Sequence, residues 1–117
     1  GRLAYHDFEG PSLDTDERER LLADLGSANA MVLRNHGLMT VGKTIPEAFI
    51  RLYRLERAAQ VQLDCTSAGP VQLIPESVAA ASAKNNEAFL AHQDGPGELE
   101  FKALLRKLDK IDPSYQG

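Results

Sequence analysis

Apolar residues recur at helical spacing in four stretches of the chain, and the longest stretch starts at Thr44 and runs to about Thr66. Thr44 and Glu47 form a capping box at its start, and Pro46 suits the first turn. The apolar positions of this stretch share one helical face, and they are Ala48, Leu52, Leu55, Ala59 and Leu63. The pattern predicts a long amphipathic helix.

A shorter helix is predicted at about Thr15–Leu25, where Asp14 and Glu17 fit a capping box and Gly26 provides a C-terminal stop. An alanine-rich helix is predicted over about 75–90, and its small side chains favour close packing against a neighbour. Both helices are bounded by turn residues on their C-terminal side.

The C-terminal stretch predicts a fourth helix with two faces of different polarity, ending at Asp112-Pro113. Its apolar face comprises Phe101, Leu104, Leu105, Leu108 and Ile111. Its solvent face carries Lys102, Arg106, Lys107 and Lys110. The helix is therefore expected to cover an apolar surface.

Two short apolar runs, Ala30–Leu33 and Leu38–Val41, are separated by Asn35 and the flexible Gly37. This composition predicts a strand, a turn and a strand. Because both runs are almost continuously apolar, they are expected to lie centrally in a sheet that is covered on both faces.

A sheet of only two strands is marginally stable, so the predicted strands need neighbours. Either Leu3–Tyr5 and Val71–Ile74 join the sheet, or the missing strands belong to a preceding segment. The chain begins at Gly1 rather than at a methionine, which is consistent with a piece of a longer protein. Both explanations remain open from the residues alone.

Size, charge and cysteine content exclude some classes of function. The chain has 117 residues and 43% hydrophobic content, enough for one small domain. Its net charge of −4 argues against a nucleic-acid partner, which would require a basic face. The single Cys65 forms no internal disulfide, so a cytoplasmic protein is expected. No apolar stretch reaches the roughly 18–20 residues that span a bilayer.

His36 is the main candidate for chemistry, because it lies between Asn35 and Gly37 at the end of a predicted strand. It has two interpretations: it makes the bend itself, since such turns require a positive φ, or it is held rigidly as a metal ligand. No His-x-His or His-x-x-x-His pattern accompanies it. Any metal site at this turn therefore needs ligands from elsewhere.

The other ionisable candidates have simpler interpretations. His6, with Asp7 and Glu9, offers possible ligands but is interpreted first as a solvated acidic loop. His92, near a helix end, is interpreted as a charge partner of the helix dipole. Cys65 is interpreted as a small apolar residue and lacks the signature of a catalytic thiol.

Three arginines, Arg51, Arg54 and Arg57, form a basic edge of the long helix and are interleaved with Glu47 and Glu56. This spacing is typical of intrahelical ion pairs on a solvated face. Binding of a phosphate or a neighbouring subunit is the minority interpretation. The sequence contains no Walker-type loop and no Gly-x-Ser-x-Gly nucleophile motif.

The segment Met31–Gly42 and the following helix Thr44–Leu63 closely resemble the class II aldolase/adducin family. The segment Tyr5–Gly10 and the C-terminal stretch Glu98–Asp109 resemble adducin-like members. The resemblance covers nearly the whole chain, and residues 1–117 resemble the C-terminal portion of such a domain.

This resemblance implies an α/β fold, an α/β/α sandwich around a mostly antiparallel sheet, commonly assembled as a homo-tetramer with active sites at subunit boundaries. In the aldolases of this family, zinc held by histidines polarises the carbonyl of a hydroxy-ketone phosphate, while a carboxylate and a tyrosine handle protons. His36 matches the family's last metal-binding histidine. Tyr115 is either the counterpart of a C-terminal tyrosine that reaches some active sites or part of a frayed end.

The chain also departs from the family pattern. The upstream His-x-His pair, the acidic catalytic residue and the phosphate-binding residues have no counterpart, so the N-terminal half is expected to be missing and no catalytic residue is assigned. One imidazole cannot hold a catalytic Zn²⁺, so this chain alone is expected to be inactive. Three functions are open for the full protein: a zinc-dependent aldolase cleaving a small sugar phosphate, a non-catalytic adducin-like assembly module, or a sugar-phosphate isomerase or dehydratase.

Overall fold

Three short strands form one sheet in the computed structural model, in the order β1-β2-β3. They are β1 (Leu3–His6), β2 (Ala30–Leu33) and β3 (Gly37–Thr40). β1 pairs with β2 in parallel, and β2 pairs with β3 in antiparallel orientation. The structure describes residues 3–10, 16–91 and 95–116, except for the side chains of 87 and 89–91.

The strand predictions are confirmed in part. Leu3–Tyr5 does form a strand, whereas Val71–Ile74 does not and instead links two helices as an exposed, irregular segment. Pro70 and Pro75 enclose that link and have no N–H group to donate to a sheet. The expectation that both apolar runs are central was wrong for the described residues: β2 lies between two strands, but β3 has a neighbour on one side only.

Helices cover the two faces of the sheet, which gives the three-layer arrangement that was predicted. The register places His6 and Met31 on the face toward α1 (Glu17–Leu25). Thr40 lies on the opposite face, where its Oγ1 donates a hydrogen bond of 2.8 Å to a carbonyl of α2 (Ile45–Ala68). The order of layers is therefore α1, sheet, α2, and α4 (Glu98–Ile111) packs against α2.

The first turn of α1 differs from the prediction. The helix begins at Glu17, and its N-cap Asp16 makes no side-chain capping hydrogen bond. The predicted cap residue Asp14 lies outside the described residues. The predicted stop is confirmed, because Gly26 adopts a φ of 52° and its N–H donates to the carbonyl of Leu22.

The start of α2 confirms the predicted cap, with one difference. Thr44 Oγ1 accepts from the N–H of Glu47 at 3.2 Å, as in a capping box. The Glu47 carboxylate accepts from the N–H of Lys43 at 2.6 Å rather than from the N–H of Thr44. Glu47 is buried at this position, so the reciprocal bonds fix the direction in which the chain enters the helix.

Burial of the helices is less complete than their sequence pattern indicates. Ile50 is buried under α4, but Leu63 on the second half of α2 is 65% exposed. The alanines of α3 (Glu76–Ala91) were predicted to pack closely, but the described α3 side chains are exposed apart from a half-buried Ala83. Among the described residues, the buried apolar side chains are Ala28, Met31 and Ile50.

The thin core is also visible in the overall dimensions. The radius of gyration is 17.0 Å, compared with about 13 Å for a compact chain of this length. α4 contacts α2 through Phe101, whose ring meets Phe49 of α2 edge to face at a centroid distance of 5.4 Å. Such aromatic pairs contribute about 0.5–1.5 kcal/mol beyond the area that they bury.

Gly97 permits the close approach of α4 to α2. It is buried at the N-cap of α4, with a φ of 82°. A Cβ at this position would lie 2.7 Å from Cγ2 of Ile50. Both the backbone conformation and the packing therefore require glycine.

We expect Gly97→Ala to lower the free energy of unfolding by about 2–4 kcal/mol, because it combines left-handed strain with overpacking. Gly10→Ala is the matched control, since Gly10 has a φ of 97° but no atom of the described residues within 4 Å of its added Cβ. The control should lose only about 1–2 kcal/mol. Urea unfolding of both variants measures the difference, and equal losses would contradict the packing argument.

Candidate functional site

The turn between β2 and β3 is closed by a hydrogen bond from the N–H of His36 to the carbonyl of Leu33, at 3.0 Å. Asn35 adopts a φ of 58°, the left-handed conformation that asparagine tolerates better than most residues. The positive φ therefore belongs to Asn35. The bend does not require an imidazole at position 36.

His36 is exposed at the tip of this turn and stacks on the ring of Phe8. The two ring centroids are 6.1 Å apart, and the ring planes differ by 25°. Phe8 belongs to the loop that follows β1, so the stack connects this loop to the turn. The His36 ring is thus supported on one side and remains accessible on the other.

His6 is the last residue of β1 and is buried, with 4% of its surface exposed. Its Nδ1 lies 2.7 Å from Oδ2 of Asp24 on α1. The interpretation of His6 as part of a solvated loop was therefore wrong. Strand alternation turns its side chain toward α1, and its partner lies 18 residues away, beyond any local motif.

The two acidic residues that follow His6 are exposed, as predicted, but each has an arginine partner. Asp7 pairs with Arg34, whose guanidinium also lies 5.2 Å from the ring centre of Tyr5. Glu9 accepts hydrogen bonds from Nε of Arg20 at 2.9 Å through both carboxylate oxygens. These pairs connect the loop to the turn on one side and to α1 on the other.

The side chains of His6 and His36 line the same cavity, which has a volume of about 50 Å³. Phe8, Glu17 and Arg34 form part of its wall. The backbone also joins the two histidine segments, because the N–H of Arg34 donates to the carbonyl of His6 at 2.9 Å. The end of β1 and the β2–β3 turn therefore form one site.

Among the described residues, His36 has no neighbouring side chains that would complete a metal site. Within the described ranges, no three His, Cys, Asp or Glu side chains are arranged to hold a metal ion. Catalytic Zn²⁺ normally takes three protein ligands. The described residues alone therefore do not fit a zinc ion, and His36 as a metal ligand remains a prediction.

The remaining candidates lie elsewhere or are not described. His92 lies outside the described residues. Tyr115 belongs to a 3₁₀ turn, Pro113–Gln116, and its hydroxyl donates to Asp109 of α4, a bond that raises the pKa of Tyr115. Cys65 is exposed on α2 rather than packed as an apolar residue, because the second half of that helix is uncovered.

The three arginines of α2 do not act as one ion-paired edge. Arg51 pairs with Glu47 at 2.6 Å within the helix, as predicted, and also donates to the carbonyl of Val41. Arg54 instead reaches Glu100 of α4, at 3.5 Å. The second pair depends on tertiary packing, which residue spacing within one helix does not reveal.

Comparison with known proteins assigns the chain to a family. The profile described as "Class II Aldolase and Adducin N-terminal domain" matches residues 1–63, more than half of the chain. The chain belongs to the class II aldolase and adducin family. The matched range includes β1, the cavity and the His36 turn.

Individual members of the family are similar over almost the whole chain. A Pseudomonas aeruginosa relative named "Putative aldolase class 2 protein PA3430" is 39% identical, with 97% of this chain and 45% of the relative covered. Rat alpha-adducin is 32% identical over 95% of this chain and 17% of its own length. The crystal structure of an aldolase II superfamily protein from Pseudomonas syringae matches this chain with a TM-score of 0.86 and 40% sequence identity. The match covers 100% of this chain and 47% of the Pseudomonas syringae chain.

These matches confirm the predicted family and the α/β fold of the aldolase II type. The chain spans less than half the length of the bacterial relatives that it matches. Among the described residues, none of the helices is long and apolar enough to cross a membrane.

The turn geometry predicts different effects for neighbouring substitutions. We expect Asn35→Ala to lower the free energy of unfolding by about 1 kcal/mol, because alanine disfavours a positive φ. His36→Ala should change stability by no more than about 0.5 kcal/mol, since the ring is exposed and the bend does not need it. Thermal unfolding of both variants checks this, and a larger loss for His36→Ala would assign that residue a structural role.

Proposed function

We propose that this chain supplies His36 as one ligand of a zinc site that other parts of the whole protein complete. The observation that supports the proposal is the placement of His36: it is exposed, it is not needed for the bend, and it borders a cavity with a second histidine. A ring held by Phe8 loses little conformational freedom when it binds a ligand. This arrangement favours a binding role over a structural one.

The proposed activity of the whole protein is retro-aldol cleavage of a small sugar phosphate or a related hydroxy-carbonyl compound. Zinc bound at such a site would polarise a carbonyl group as a Lewis acid. The residues of this chain would bind and orient: His36 as a ligand, Phe8 against its ring, and the Asp7–Arg34 pair between loop and turn. No proton-transferring residue of this step is assigned.

The fold family also supports the wider proposals for the whole protein. We propose a homo-oligomer, a tetramer as in related aldolases, with the missing ligands supplied by a segment that precedes this chain. A cytoplasmic location is proposed because the single cysteine gives no sign of an oxidising compartment. A sugar-phosphate isomerase or dehydratase could use the same set of ligands.

A non-catalytic, adducin-like assembly module is the second candidate. It is favoured by the similarity to adducins and by the lack of three adjacent metal-ligating side chains among the described residues. The apolar surface shared by α2 and α4 is also largely exposed. Its exposed side chains include Phe49, Leu52, Tyr53, Leu104, Leu108 and Ile111.

The metal content of the intact protein separates the two candidates. We expect one zinc per chain in the wild type and loss of that zinc in His36→Ala, measured by elemental analysis after dialysis. His92→Ala is the control for a histidine outside the matched residues 1–63 and should retain the metal. Metal-free wild-type protein with an unchanged oligomeric state would contradict the aldolase proposal and favour the assembly module.

A further inference from the structure

The buried imidazole of His6 has one nitrogen with a partner and one without. Its Nδ1 donates to the Asp24 carboxylate at 2.7 Å, which fixes the orientation of the ring. Its Nε2 is buried and has no hydrogen-bond partner among the described residues. Buried polar atoms are nearly always paired, so this nitrogen indicates a binding position for a polar group.

The surroundings of Nε2 indicate what kind of group fits beside it. Two carboxylate oxygens lie close to it, Oε1 of Glu17 at 3.9 Å and Oε1 of Glu9 at 4.0 Å. Both distances exceed the roughly 2.7–3.2 Å of a hydrogen bond, so neither carboxylate satisfies Nε2 in either protonation state of the ring. An additional atom is needed between them.

A hydroxyl oxygen fits this position better than an ion. It can donate to one neighbour and accept from the other, and an oxygen about 2.8 Å from both atoms would connect Nε2 with the Glu17 carboxylate. An anionic oxygen only accepts, so it would face two carboxylates without a proton to offer. With the proton on Nε2, the hydroxyl oxygen accepts from Nε2 and donates its own proton to the Glu17 carboxylate.

The cavity has room for part of a ligand. A volume of about 50 Å³ accommodates an oxygen with its attached carbon. Since His36 lines the same cavity, a ligand whose hydroxyl reaches His6 has its remaining atoms on the His36 side. The ligand is therefore expected to enter with one hydroxymethyl end.

The charges around the cavity select against anions. Its wall contains the carboxylates of Asp7 and Glu17 and a single arginine, Arg34. That arginine is already paired with Asp7 and rests on the ring of Tyr5. A phosphate or carboxylate group entering here would meet like charge without a free cation in the described cavity wall.

We propose that His6 and Glu17 form a binding subsite for an uncharged hydroxyl group of the ligand, with Asp24 holding His6 in position. The identity of the ligand as a small hydroxy-carbonyl compound rests on the proposed function. The subsite assigns the uncharged hydroxymethyl end of that compound to the His6 side of the cavity. Any phosphate that the compound carries lies outside it.

The test is an NMR titration of the intact protein, labelled with ¹⁵N-histidine and treated with a chelator to remove metal. The probe is dihydroxyacetone, and the signal is the Nε2 resonance of His6, assigned through its own backbone amide. We expect a saturable shift of this resonance. Acetone, which has the same carbonyl but no hydroxyl, and inorganic phosphate should each leave it unchanged.

Two matched variants identify the second partner of the hydroxyl. Glu17→Gln should weaken dihydroxyacetone binding about three- to tenfold, the usual effect of impairing one hydrogen bond. Glu19→Gln removes the same charge from an exposed position of α1 and should leave binding unchanged. Loss of binding in Glu17→Gln alone supports the subsite.

Three results would overturn the inference: no saturable shift at His6, an equal shift with acetone or phosphate, or equal effects of the two variants. The first result would leave water as the occupant of the cavity. Because the titration is done without metal, its failure is separate from a failure of the zinc proposal. A shift at His6 in a protein that binds no zinc would leave the subsite intact.

Discussion

The parallel pairing of β1 with β2 is the constraint on which the site depends. Parallel strands end at the same edge of a sheet, so His6 at the end of β1 lies where β2 enters its turn. The hydrogen bond from Arg34 N–H to the His6 carbonyl fixes that alignment one residue beyond the ladder. Without this pairing, the loop carrying Phe8 and the turn carrying His36 would have no fixed relation to each other.

On the α1 side of the sheet, polar contacts help to fix the position of the helix, a role that apolar packing usually has. α1 meets the sheet through the His6–Asp24 hydrogen bond, and the Glu9–Arg20 pair connects α1 to the loop that follows β1. Because His6 is buried, leaving its Nδ1 unpaired is costly, so its bond to the half-exposed Asp24 specifies one arrangement of helix and strand. The cavity beside His6 is a consequence of that arrangement.

Local signals in the sequence predicted most of the elements, because helix caps and apolar periodicity act within a few residues. The Thr44 cap, the Gly26 stop and the bounds of α2 follow from such signals. The His6–Asp24 contact could not be predicted this way, since it joins residues of two elements through the strand register. The alanines of α3 predicted close packing, but the described α3 side chains are largely exposed. Composition alone does not identify the element against which a helix packs.

The central claim is that the end of β1 and the His36 turn form one ligand site. The most direct measurement is anomalous diffraction at the zinc absorption edge from crystals of the intact protein grown with zinc and dihydroxyacetone. We expect an anomalous peak at the His36 imidazole and a hydroxyl oxygen between His6 Nε2 and Glu17. A zinc peak that excludes His36, with only water beside His6, would contradict it.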